Sequence, residues 1–492
     1  VIRRVATVAL IALVAVSCSG RAAGPRPSVA TVPNWALAGG NLDNSRAATA
    51  TAWSVATAAG AEVAWTAKLP GIGSLPTVPI VVGGTVYVGG TAGGVVALER
   101  STGRIRWRSE PTGPTIGPTG VAVDGGRVFG LNGSTGVVAL DAGTGRRLWV
   151  RDIVATPTTG VDIQPVVAGG VVLVSTVPVS IKGIYAPGDR GVIHALDVRT
   201  GDDVWTFDTV QGDLWGHPEL NSGGGAWYPP AIDPKRGLAY FGIANPAPFP
   251  GAPGWPNGTS RPGPNLYTDS VVALDLDTGA LRWFDQVSPH DIFDRDQVFA
   301  MIAHTAHGDV VVSSGKSGVV VGVDPATGKE RWRTEVGRHQ NDDLQALTGP
   351  TKVLPGTFGG ILTPPATADG IVYLPVINAG ATLGPEDRAY FATPLGQEDG
   401  DVAAVDAGTG RVLWSRKVAG DPLGGVTVVG DLLLVPLADG TLLGLDRATG
   451  KVVWHDKLPG GTNGQPAVSG DLAIFPVGSA DPPQLVAYRV HR

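Results

Sequence analysis

The chain has 492 residues, 72 of them glycine and 40 proline, and only 16% are charged. So much glycine and proline excludes a helical bundle and favours many short strands joined by turns. A net charge of −6 without a basic run excludes a nucleic-acid surface, and the single cysteine, Cys18, excludes a disulfide framework, a covalently attached haem and a multi-cysteine metal centre.

The first element is a targeting segment. Arg3 and Arg4 precede an apolar run, Val5 to Val16, that is too short to cross a bilayer. The run ends in Ala15-Val16-Ser17-Cys18, which resembles a bacterial lipoprotein processing site. Residues 1–18 are therefore expected to be a signal peptide with Cys18 lipidated. Residues 19–34, small, polar and proline-containing, suit a flexible tether, and 35–492 form the folded domain. The expected location is secreted and lipid-anchored to the bacterial cell membrane, facing outside or the periplasm, with the lipid as the only membrane contact.

Next comes a repeat. Seven segments share an apolar strand, an acid (Glu99, Asp141, Asp197, Asp275, Asp324, Asp406, Asp446), a Thr-Gly pair, and a strand carrying tryptophan (Trp107, Trp149, Trp205, Trp283, Trp332, Trp414, Trp454). The acid and threonine suit a turn, and the glycine supplies positive φ. The tryptophan buries a large surface against the neighbouring unit. One such hairpin cannot bury its own faces, so the units must stack and the array must close. Trp65 has a strand but no acidic turn before it, and the final strand from Gln484 has no tryptophan. Together they complete one unit. The expected fold is all-β, an eight-bladed β-propeller closed by N- and C-terminal strands in one blade. Between Trp205 and Trp283, and between Trp332 and Trp414, the interval roughly doubles, which marks two inserts expected on one face at the channel mouth.

The stretch from Gly223 to Asp296 carries a further pattern. It reads Gly223-Gly224-Gly225-Ala226-Trp227, then Ala244-Asn245-Pro246-Ala247-Pro248, then Pro262-Gly263-Pro264-Asn265, then Pro289-His290-Asp291-Ile292-Phe293-Asp294. With the repeat, this order resembles the quinoprotein (PQQ-dependent) alcohol dehydrogenases. The resemblance implies Trp227 as the floor under a planar quinone and Asn245 as an amide ligand of a metal, Ca²⁺ or a lanthanide. It implies Asp294 as the general base and a metal ligand, Asp296 as an additional carboxylate ligand, and Lys316 as the cation beside the quinone oxygens. Several positions depart from the family. Ala186 stands near where the metal-binding glutamate falls, Asp189 is the nearest carboxylate, Ala244 replaces a glycine, and no adjacent cysteine pair is present.

Two functions are compatible with these residues. One is a dehydrogenase that oxidises an alcohol or related small molecule by hydride transfer to PQQ and passes electrons to a separate acceptor. The other is a non-catalytic scaffold that binds protein or glycan partners at the cell envelope, since lipoproteins of outer-membrane protein assembly use similar propellers.

Overall fold

Each repeat forms two antiparallel strands around its acidic turn. Asp141 shows the turn chemistry: its Oδ1 accepts from the Gly143 and Thr144 amides and from the Thr144 hydroxyl, at 3.1, 2.9 and 2.8 Å. The same contacts recur at Asp275, Asp324 and Asp406. The turn glycine follows with φ near +70° in every repeat, for example +73° at Gly145 and +70° at Gly279.

The computed structural model describes residues 34–181, 184–387 and 395–491. Cys18, the signal segment 1–18 and almost all of the tether lie outside them. Among the described residues, eight sheets with a core of four antiparallel strands follow in chain order. They occupy 80–108, 122–152, 166–208, 231–286, 299–335, 366–418, 427–457 and 467–489, and the last is completed by Glu62–Lys68. That N-terminal strand pairs with Gln484–Arg489, with Trp65 opposite Ala487. The ring is therefore closed as the unpaired Trp65 implied, and the protein is an all-β, eight-bladed propeller.

Neighbouring blades are joined by the repeat itself. The indole of Trp205 donates to Leu276 O at 2.9 Å, and that of Trp283 to Pro325 O at 3.0 Å. Each indole lies flat on the turn glycine of the next blade. A Cβ at Gly279 would meet Trp205 at 2.5 Å, and one at Gly328 would meet Trp283 at 2.4 Å. Trp65, Trp107, Trp149, Trp332 and Trp414 dock in the same way. Trp454 faces the composite blade, which has no such turn. It packs instead on Trp53 and Tyr488, at ring separations of 5.9 and 6.0 Å.

The two inserts meet on one face. Gly251 N donates to Asp387 O at 3.1 Å and Asn257 N to Pro385 O at 2.8 Å. The side chain of Asn257 bonds both backbone groups of Leu347.

A matched pair of substitutions isolates the indole contact. Gly237 has φ +67° and open space where a Cβ would stand, whereas Gly279 has φ +70° and an indole there. Gly237→Ala is expected to cost about 1–2 kcal/mol, the left-handed backbone alone. Gly279→Ala should cost at least about 1 kcal/mol more by overpacking. Denaturant unfolding of both variants checks this; equal losses would show that the indole contact carries no specific constraint.

Candidate functional site

The site begins with one buried carboxylate in the loop after the fourth blade. Asp291 accepts the amides of Phe293 and Arg295 at 2.7 and 2.8 Å. This curls the loop so that Asp294 and Asp296, at φ +65° and +42°, turn inward. They are 0% and 1% exposed. The fully buried Arg261 braces the loop from below, bonding Asn265 Oδ1 at 2.6 Å and the carbonyl oxygens of Pro248 and Asp291. Burial lowers its pKa to about 10.

The segment before Val319–Val323 in the fifth blade brings up the cation. Gly315 lies against the Asp296 carbonyl so closely that a Cβ would stand 1.9 Å from it. Any side chain there would push Lys316 away. Lys316 Nζ instead sits 2.9 Å from Asp294 Oδ2 and 2.5 Å from Asp296 Oδ2. It also lies 5.7 Å from the ring centre of Trp227, within cation–π range. Asp296 Oδ1 accepts the backbone amide of Asn245 at 2.9 Å, so a carboxylate just past the fourth motif is tied to the second. Trp227 is backed by Tyr228, which packs on Phe299.

These groups border a cavity of about 360 Å³. Ile116, Asp162, Trp227, Lys316, Leu423 and Asn463 line it, and they belong to six different blades: Lys316 lies between two strands of the fifth, and the others lie in segments leading into theirs. A space bordered by so many blades lies where they converge, at the ring axis. Trp227, Asn245 and Lys316 reach the cavity wall. Asp294 and Asp296 do not: they stand behind Lys316.

The charges are unevenly matched. Burial and the neighbouring Asp296 push the Asp294 carboxyl well up, against the pull of Lys316. Asp269, fully buried with no hydrogen-bond partner on either oxygen, is raised by burial and by Asp291, Asp296 and Asp294. Asp162 is the one carboxylate among the lining residues. Its Oδ1 has no partner, and burial alone pushes it well up.

The cavity suits a flat multi-ring cofactor: it has a planar aromatic wall, a cation beside it and room for a small organic molecule. The same residues do not fit a hard divalent or trivalent cation, which takes six or more oxygens. Both oxygens of Asp296 and one of Asp294 are already engaged. Ala186, in place of the expected glutamate, is buried and offers no donor. The Asp189 carboxylate is held by the Thr156 hydroxyl at 2.9 and 3.0 Å. No group of three His, Cys, Asp or Glu side chains among the described residues is placed to hold a metal.

Comparison with known proteins establishes the family. The family model of the outer membrane protein assembly factor BamB matches residues 48–207, 260–373 and 398–490, more than half of the chain. That of the glucose/ethanol/alcohol dehydrogenase β-propeller domain matches 155–306, the stretch that contains Trp227, Asn245, Asp294 and Asp296. The chain belongs to the PQQ-type propeller family. Within that family it is a distant homologue of the quinoprotein alcohol dehydrogenases. The quinohemoprotein alcohol dehydrogenase of Comamonas testosteroni is 25% identical over 74% of this chain and 58% of its own length. A solved structure of that enzyme superposes with a TM-score of 0.80 at 22% identity, covering 93% of this chain and 80% of the other. BamB from Moraxella catarrhalis superposes with a TM-score of 0.53 at 18% identity, covering 87% and 97%. Matches to three curated quinoprotein relatives from Pseudomonas putida span 22%, 26% and 55% of their lengths.

Four residues of this PQQ-type propeller escaped the sequence reading: Asp162, Arg261, Asp269 and Asp291. Only Asp291 had a signal, its place inside the Pro-His-Asp motif.

Asp291 should matter to folding more than to ligand contact. Asp291→Ala leaves two backbone amides without their acceptor and is expected to cost about 2–5 kcal/mol. Chemical denaturation checks the figure; a loss below about 1 kcal/mol would mean that the loop holds its shape by other means.

Proposed function

We propose that this protein is a quinone-dependent dehydrogenase that oxidises an alcohol in the axial cavity, with PQQ as the electron acceptor. The observation that carries the reading is the meeting of the Trp227 ring, the Asn245 amide and the Lys316 ammonium at one cavity, with Asp294 bonded behind the ammonium. When bound, the quinone supplies a two-electron acceptor for hydride.

The chain's own residues supply binding and proton handling. The Trp227 ring offers a flat apolar surface for stacking. Ile116, Val177, Leu362 and Leu423 make the walls apolar and keep water from the reacting atoms. Lys316 holds positive charge where negative charge develops on oxygen. Asp294 is the proton acceptor, reached through Lys316 rather than directly. As Nζ takes the substrate's hydroxyl proton, one of its own protons passes to Asp294 Oδ2, 2.9 Å away. The alcohol leaves as the carbonyl compound. Electrons leave to a separate acceptor, and Cys18 anchors the enzyme at the envelope.

Adding PQQ to the soluble domain should quench tryptophan fluorescence, and Trp227→Phe should remove most of that quench. An alcohol should then drive dye reduction. Asp294→Asn should lower turnover at least about 100-fold while quinone affinity changes little, since the proton acceptor acts on substrate. If PQQ produces neither quench nor alcohol-dependent reduction, the dehydrogenase reading gives way to an envelope scaffold for protein or glycan partners.

Asp162 sets the pH dependence. Its carboxyl is raised by burial, so it stays neutral at pH values where an ordinary aspartate is charged. Its neighbour Tyr228 is also pushed up by burial and remains neutral there. A polyanionic quinone binds the neutral carboxyl better than the carboxylate. Affinity should therefore fall as pH rises through the raised pKa of Asp162, and Asp162→Asn should flatten that fall. Fluorescence titrations between about pH 5 and 8 test it; parallel profiles for the two proteins would clear Asp162 of the role.

A further inference from the structure

We infer that Lys316 is the resident cation of the axial cavity and stands in place of a metal ion, so that the site holds its ligand without calcium or lanthanide. The ammonium occupies the carboxylate oxygens a metal would need. It lies 2.9 Å from Asp294 Oδ2 and 2.5 Å from Asp296 Oδ2. The other Asp296 oxygen is taken by the Asn245 amide. Of the carboxylate oxygens of this pair, only Asp294 Oδ1 has neither a hydrogen bond nor an ion-pair contact with Lys316.

Three independent features keep the ammonium where it is. Gly315 allows the backbone before Lys316 to lie directly against the Asp296 carbonyl. The Trp227 ring offers its electron-rich face to the charge at 5.7 Å. Lys316 itself is only 5% exposed, so water does not compete for it. Ala186 and Asp189 offer a metal nothing either. The first is a buried methyl group, and the second is spent on Thr156. A divalent ion entering this space would displace Lys316 or sit beside a like charge in a poorly solvated pocket.

The inference rests on the dehydrogenase reading only for the identity of the ligand. Terbium, a lanthanide whose luminescence is excited through nearby tryptophan, tests the metal part without any quinone. The wild-type protein should show no saturable terbium signal at micromolar concentrations. Calcium should bind no more tightly than about 1 mM, the weak end for protein sites. Lys316→Ala frees both carboxylates and should gain saturable terbium binding that calcium displaces, tighter by at least about 10-fold. A thermal melt of the variant establishes that it is folded. If it is not, the wild-type titration decides alone, because saturable wild-type binding abolished by Asn245→Ala would overturn the inference. A folded Lys316→Ala protein that gains nothing would overturn it too. In the second arm, PQQ affinity should be the same in chelator and in calcium; loss of binding in chelator would contradict the inference. If PQQ binds under neither condition, the dehydrogenase reading falls, while the terbium result still decides whether the ammonium replaces a metal.

Discussion

An indole lying flat on the turn glycine of the next blade is the contact on which the rest of this structure depends. Each side of the contact is useless alone. The glycine must take positive φ to close the acidic turn, and it must lack a Cβ because an indole stands 2.4–2.8 Å from where one would be. The indole must also reach the carbonyl of the residue that follows the turn's acid, which sets the distance between blades. Repeated around the ring, this single interaction determines the spacing, and the spacing leaves one gap that only the two ends of the chain can fill. Glu62–Lys68 and Gln484–Arg489 fill it as partners in one sheet.

Closure explains why a site exists at the axis. Residues more than three hundred positions apart, Ile116 and Asn463, border one cavity because a ring brings the entry segments of its blades together. Those segments are irregular, so they can carry glycine, tryptophan and charge that a strand interior would not tolerate. The cost is buried charge. Asp269, Asp291, Asp294 and Asp296 lie within electrostatic reach of one another, and Arg261 and Lys316 offset them only in part. In the low-dielectric interior such groups hold protons or find partners, and an enzyme that moves a proton uses groups of this kind. The aromatic wall and the paired ammonium then give the cavity its chemistry.

The sequence showed the blades more clearly than the site, and the reason is distance. Asp141, Thr144 and Gly145 act on one another within a few residues, so their pattern repeats visibly. The ring size followed from two odd ends, Trp65 without its turn and the last strand without its tryptophan. The sequence pointed to Trp227, Asn245, Asp294 and Lys316 as site residues; the structure brings Trp227, Asn245 and Lys316 to the cavity and leaves Asp294 off its wall, bonded to Lys316. The motifs did not show that Lys316 would stand between Asp294 and the cavity, because that depends on how closely Gly315 packs on Asp296. Asp162 was invisible for a similar reason. It sits next to an ordinary short strand and becomes a cavity carboxyl only after the ring has closed. Its charge state then follows from a burial that no local pattern reveals.

The most direct measurement is a crystal structure of the domain soaked with PQQ and calcium together. The account predicts flat density stacked on the Trp227 ring, with the Lys316 ammonium still between Asp294 and Asp296. A calcium ion ligated by Asn245 and Asp294 with Lys316 displaced, or a cavity holding only water at saturating PQQ, would contradict it.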